Sequence, residues 1–130
     1  MSIGVAQPIG PGGTGTVDTK VSVSLVTNGP AGTVVYSLPT MENANGPGQV
    51  TQMNLASGSN TIAMPPNVAG VAIVLPAGNA VACSHKTVVG DTGTAMAKQG
   101  LALLCFDQAP PANLYLVTGG AISGVFLYYF

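Results

Sequence analysis

The chain has 130 residues, enough for one domain with a real hydrophobic core. Only 5% of the residues are charged, none is arginine, and the net charge is −1, against roughly 25% charged residues in ordinary domains. Three lysines cannot neutralise the phosphates of a nucleic acid or hold an anionic bilayer, so neither nucleic acid nor membrane is expected as a partner.

A surface this poor in charge has two readings. Either other protein covers it, or Ser, Thr, Asn, Gln and Gly do the solvating. The opening "MSIGVAQPIG" has no basic stretch followed by an apolar one, so no secretion signal is expected. Cys83 and Cys105 are then expected to be reduced, buried thiols. One histidine and two cysteines leave a tetrahedral zinc site a ligand short.

Residues 1–16, "MSIGVAQPIGPGGTGT", are too rich in Gly and Pro for a helix or a good strand. They read as an extended arm, ordered by a neighbouring subunit. Period-two alternation begins at Val17: in "VDTKVSVSLVT", Val17, Thr19, Val21, Val23 and Leu25 share one face of a half-buried strand. "NGPAG" at 28–32 is a turn, "TVVYSL" a second strand and "MENANGPG" a loop. "QVTQMNLASGSNTIAMP" reads as a hairpin about Ser57, Gly58 and Ser59. "GVAIVLPAGN" is an apolar strand ending in a turn. "AVACSHKTVV" is another, with Val81, Cys83, His85, Thr87 and Val89 on one side, and "GDTGT" turns the chain again. "GTAMAKQGLALL" comes nearest to a helix, but Gly100 interrupts it. "LALLCF", "LYLVT" and "AISGVFLYYF" supply the last three strands. The whole predicts an all-β fold: an antiparallel β-sandwich, jelly-roll-like, of about eight or nine short strands over residues 17–130.

The last strand is apolar on both faces. Alternation puts Ile122, Phe126, Tyr128 and Phe130 on one side, and Val125, Leu127 and Tyr129 on the other. One face would meet the core, and the other needs a cover. A subunit interface is the simplest cover; a loop or the N-terminal arm of the same chain is the other. The expected interface residues are Val125, Phe126, Leu127, Tyr128, Tyr129 and Phe130, with Ile3, Val5, Pro8, Ile9 and Pro11 of the arm.

No residue set points to catalysis. His85 and Asp91 are the only titratable pair worth testing, with Ser84 as a conceivable nucleophile. Adjacent residues on a strand point to opposite faces, so Ser84 does not readily reach His85, and there is no G-x-S-x-G elbow. His85 reads as a hydrogen-bonded structural residue. "VVGDTG" reads as turn chemistry, with Gly90 and Gly93 free to take left-handed φ. "GPGGTG" at 10–15 lacks the G-K-[ST] ending of a phosphate loop, and no segment clusters the carboxylates calcium wants. The expectation is no enzyme, no cofactor and no metal.

The run "LASGSNTIAMPPNVAGVAIVLPAGN", "KTVVGDTGTAM", "LALLCFD" and a closing "GVFLYYF" resembles small virion proteins of tailed bacteriophages over about residues 50–130. The resemblance implies a structural component of the virion without enzymatic activity: a capsid decoration or cement protein, partnered by copies of itself and by other virion proteins such as the major capsid protein. By analogy with β-sandwiches on virus surfaces, the oligomer expected is a trimer. Three other readings compete with it. A tail or fibre tip would bind host surface glycans through Tyr36 or Tyr115, a hydrolase would use His85 and Asp91, and a fibre subunit would form open polymers.

Overall fold

A computed structural model describes residues 17–106 and 109–130. All regular elements among them are strands, twelve in number. Eight make a sandwich: β5 (Gln49–Leu55), β6 (Gly58–Ala63), β7 (Gly70–Leu75), β8 (Cys83–Lys86), β9 (Thr94–Ala95), β10 (Gly100–Cys105), β11 (Asn113–Thr118) and β12 (Ile122–Tyr129). They form two four-stranded antiparallel sheets, ordered β10-β7-β12-β5 and β6-β11-β8-β9.

The order has a simple logic. The first of the eight pairs with the last, the second with the seventh, the third with the sixth, and the fourth with the fifth. That is one long two-stranded ribbon wound round a core, with the contacts β12·β7 and β11·β8 closing the two sheets. This winding is the jelly roll. It requires nearly every connection to pass from one sheet to the other. The stretch 49–63 is therefore an arch and not the local hairpin its sequence suggests: β5 pairs with β12, and β6 pairs with β11. Asn60 holds the arch. Its Oδ1 accepts from the Ala56 amide (2.9 Å), and its Nδ2 donates to the carbonyls of Ala56 (2.9 Å), Gly58 (3.2 Å) and Leu116 (3.1 Å). Thr118 Oγ1 donates to the same Ala56 carbonyl at 2.8 Å.

The core lies between the sheets. Val71, Ile73, Leu75, Leu114, Leu116, Val125 and Leu127 are its fully buried side chains, together with Leu55. Each arises from period-two alternation on its own strand. β12 breaks the rule once. Gly124, at φ +78°, sits in a bulge between Ile122 and Val125, and its amide is held by Asn54 Oδ1 at 3.0 Å. The extra residue turns Ile122 inward beside Val125, against the face that simple alternation assigns it.

Phe130 also departs from the alternating pattern, because its ring packs where Gly70 has no side chain: a Cβ on Gly70 would stand 2.5 Å from the ring and 2.5 Å from the Leu104 carbonyl. The Phe130 carbonyl accepts from Ala69 (2.6 Å) and Gly70 (3.1 Å), and its own amide donates to Gly70 at 3.1 Å.

Residues 17–46 join neither large sheet. β1 (Val17–Val21) pairs with β4 (Met41–Gly46), and β2 (Ser24–Gly29) pairs with β3 (Gly32–Ser37). β4 occupies the segment expected to be a loop; its polar residues suit a strand that is solvated, with Lys20 and Glu42 as register partners 4.0 Å apart. Between the two pairs, Ser22 and Thr40 share a 3.2 Å hydroxyl bond, and the Leu38 amide donates to Val23 at 3.0 Å. The four strands thus make one hairpin ribbon. Pro39, which has no amide to donate, is the extra residue on the returning leg. The thirteen residues of the outgoing leg, 17–29, reach roughly 40 Å at strand rise. The turn at 28–32 is the one the sequence suggests: Gly32 takes φ +116°, and Thr33 Oγ1 donates to Asn28 Oδ1 at 2.7 Å.

Candidate functional site

Three places could carry function: a cleft at the seam of the sandwich, the outer face of one sheet, and the ribbon.

The cleft opens between the edge strands β9 and β10. It has a volume of about 540 Å³ and is lined by His85, Lys86, Asp91, Thr94, Leu103 and Phe106, among others. His85 pairs with buried Leu116 and with Thr94, so its imidazole lies on the inner face of β8, at the mouth of the seam. Burial there pushes its pKa below the ordinary 6.5 and favours the neutral ring. Ser84 is on the opposite face, in register with Val117 and Ala95. Lys86 Nζ donates to the carbonyls of Val89 (2.9 Å) and Asp91 (3.2 Å), and the Asp91 amide donates to Val88 at 3.1 Å. Lys86 is thus bound up in bracing the turn, and the Asp91 side chain is exposed. Gly93 takes φ +88°; Gly90 keeps a negative φ. Ser84, His85 and Asp91 share no side-chain hydrogen bond. Among the described residues no three of His, Cys, Asp and Glu gather into a ligand group. What the cleft offers chemically is one neutral imidazole between a polar wall of Lys86, Asp91 and Thr94 and an apolar one of Leu103, Leu104 and Phe106.

The two thiols differ from each other. Cys83 is buried and Cys105 is exposed, and both are free. The expectation of burial thus holds for Cys83 only. Cys105 Sγ lies 3.3 Å from Met41 Sδ, at the root of the ribbon.

The outer face of the β10-β7-β12-β5 sheet is apolar except at Gln52 on its β5 edge. Leu101, Val74, Phe126 and Gln52 form one cross-strand row, and Leu103, Ala72, Tyr128 and Val50 the next. Leu101 and Val50 are exposed, and the four apolar side chains of β7 and β12 between them are half-buried. Phe126 and Tyr128 stack, with ring centroids 6.3 Å apart. Of the six C-terminal residues expected at an interface, only these two face outward. Val125, Leu127, Tyr129 and Phe130 are taken up by the chain's own core. Ile3, Val5, Pro8, Ile9 and Pro11 lie outside the described residues.

The ribbon was assigned to the sandwich by its alternation, and sequence reasoning missed it as a surface. Every residue of 24–40 is exposed. The register pairs Leu25 with Tyr36, Val26 with Val35, Thr27 with Val34, and Asn28 with Thr33. Cross-strand partners share a face. One face therefore carries Val23, Leu25, Val34, Tyr36 and Leu38, with Thr27. The other carries Ser24, Ser37, Asn28 and Thr33 around a single Val26–Val35 pair. Alternation could have revealed the apolar face, but not that it lies off the core.

No family model matches the chain, and comparison with curated proteins and with solved structures finds no match.

Proposed function

We propose that this chain is a non-enzymatic structural protein of a phage particle, a capsid decoration protein that stabilises a shell through contacts with its own copies and with the shell protein. One observation carries the reading: a small jelly roll bears two apolar faces that the described residues leave uncovered, one on the β10-β7-β12-β5 sheet and one on the ribbon. Such faces are liabilities on a free monomer and assets in a lattice. Jelly rolls serve as capsid, lectin and metal-binding scaffolds. With one histidine and four carboxylates in the whole chain, adhesion is the chemistry best supplied. At roughly 25 cal/mol per Å2 of apolar area, a contact repeated over a shell offsets considerable internal pressure, less the cost of ordering the partners.

The test is a shell assembled with and without this chain. Decorated shells should keep their contents at temperatures that rupture bare ones, and the protein should co-sediment with them. Failure to co-sediment with any shell overturns the reading. A second reading, a tail or fibre tip that binds host glycans, draws support from the exposed ring of Tyr36. Binding on an array of host polysaccharides, lost on Tyr36→Ala, would favour it.

A further inference from the structure

The ribbon has no core of its own, and a lone two-stranded hairpin is marginal in water. Its apolar face is exposed from Leu25 through Leu38, at 40–66% for the large side chains. We infer that this face seats across the outer face of the β10-β7-β12-β5 sheet of a second copy of the chain.

Four features of the molecule converge on that partner. Both faces are uncharged. Between Val21 and Met41 the ribbon holds no Asp, Glu, Lys, Arg or His, and its ion-paired register partners Lys20 and Glu42 fall one residue out of phase with Val21 and Met41, on the other side. The two sheet rows hold no charge either. A charged partner would gain nothing from either surface.

The geometry also fits. The sheet rows led by Leu101 and Leu103 are two residues apart, roughly 7 Å at strand rise. The ribbon rows Leu25–Tyr36 and Thr27–Val34 have the same spacing, so the side chains of one can interleave with the other as in ordinary sheet-on-sheet packing. The area suffices as well. The ribbon face offers on the order of 500 Å2 of apolar surface, and an equal area of sheet brings the contact to about 1,000 Å2, the lower bound of a specific interface.

Finally, the ribbon does not cover its own sheet. Its root is fixed at one end of that sheet by Met41 against Cys105 and by Asn43 Nδ2 donating to the Asn67 carbonyl at 2.9 Å. From there residues 24–40 run exposed. A ribbon-to-sheet contact joins unlike surfaces, so it builds a closed ring when the rotation allows. The inference does not need a phage particle; it stands or falls on the protein alone.

Light scattering behind size exclusion tests it on the full chain. Wild type should form a defined oligomer. Leu25→Asp, combined with Val34→Asp, removes the ribbon face; Leu101→Asp spoils the sheet face. All three positions are exposed, and protection of the amides of β7, β11 and β12 from exchange verifies that each variant keeps its sandwich. Each variant alone should be monomeric. Mixed, they should form a 1:1 pair, since one copy retains a sound sheet and the other a sound ribbon. Four results overturn the proposal: a monomeric wild type, a ribbon variant that assembles like wild type, a sheet variant that assembles like wild type, which would mean ribbon meets ribbon, or a mixture that stays monomeric.

Discussion

Phe130 separates two accounts of the carboxyl end. If the aromatic terminus serves mainly a neighbour, truncating Phe130 weakens association and leaves the monomer's melting unchanged. The structure points the other way. The residue is 3% exposed, its ring fills the space over Gly70, and its main chain makes three hydrogen bonds to residues 69 and 70. Phe130→Ala keeps those bonds and empties the ring's site. Burial of that order is worth about 3–5 kcal/mol, a large part of the stability of a small domain. At roughly 3–5 °C per kcal/mol for a chain of 130 residues, Tm should fall by about 9 °C or more. The assay is calorimetry in the Leu25→Asp, Val34→Asp background, so that association does not add to the apparent stability. Phe130→Leu, which refills most of the volume, should lose under about 1.5 kcal/mol. A Tm shift below about 3 °C for the alanine variant, with the loss appearing instead in the oligomer, refutes the packing argument.

Other consequences are quicker to check. Gly70→Ala forces a methyl to within 2.5 Å of the Leu104 carbonyl and of the Phe130 ring; strand β10 or the chain end must shift, and urea titration should register a loss of about 1–3 kcal/mol. Asn60→Ala leaves the Ala56 amide and the Leu116 carbonyl without their partner in the first arch; a loss of about 1–3 kcal/mol is expected, with faster amide exchange at Ala56. Iodoacetamide should label native Cys105 and spare Cys83 until the protein unfolds, because one is exposed and the other buried; it should do so slowly, since burial raises both thiol pKa values. For His85 the folded pKa lies below the ordinary 6.5. Its contribution is thus complete above that value and is lost as pH falls through the lowered one. Wild type should lose more Tm than His85→Gln between about pH 7 and pH 5.

Most strands were legible, because they carry a period-two apolar pattern and Gly or Pro marks their ends; β4, a polar run read as a loop, and the two-residue β9 were not. Pairing was not, and the reason is physical. In a jelly roll the partner of Gln49–Leu55 is Ile122–Tyr129, at the far end of the chain, whereas alternation reports only that a face is apolar. The arch at 56–58 carried one local cue, an Asn two residues after Gly58 whose side chain can replace the pairing a hairpin would have made. The bulge at Gly124 was cued by a glycine inside an otherwise apolar strand, and one inserted residue was enough to bring Ile122 onto the buried face of Val125, against simple alternation. The ribbon shows the limit most clearly. "VSVSLVT" and "TVVYSL" have the pattern of half-buried strands, yet no part of residues 24–40 is buried among the described residues. A sequence selected to leave that face in water would place Lys, Glu or Thr at Leu25, Val34, Tyr36 and Leu38. That it places large apolar side chains there, on a segment with no core of described residues beneath it, is the pattern expected when the burying surface belongs to another molecule.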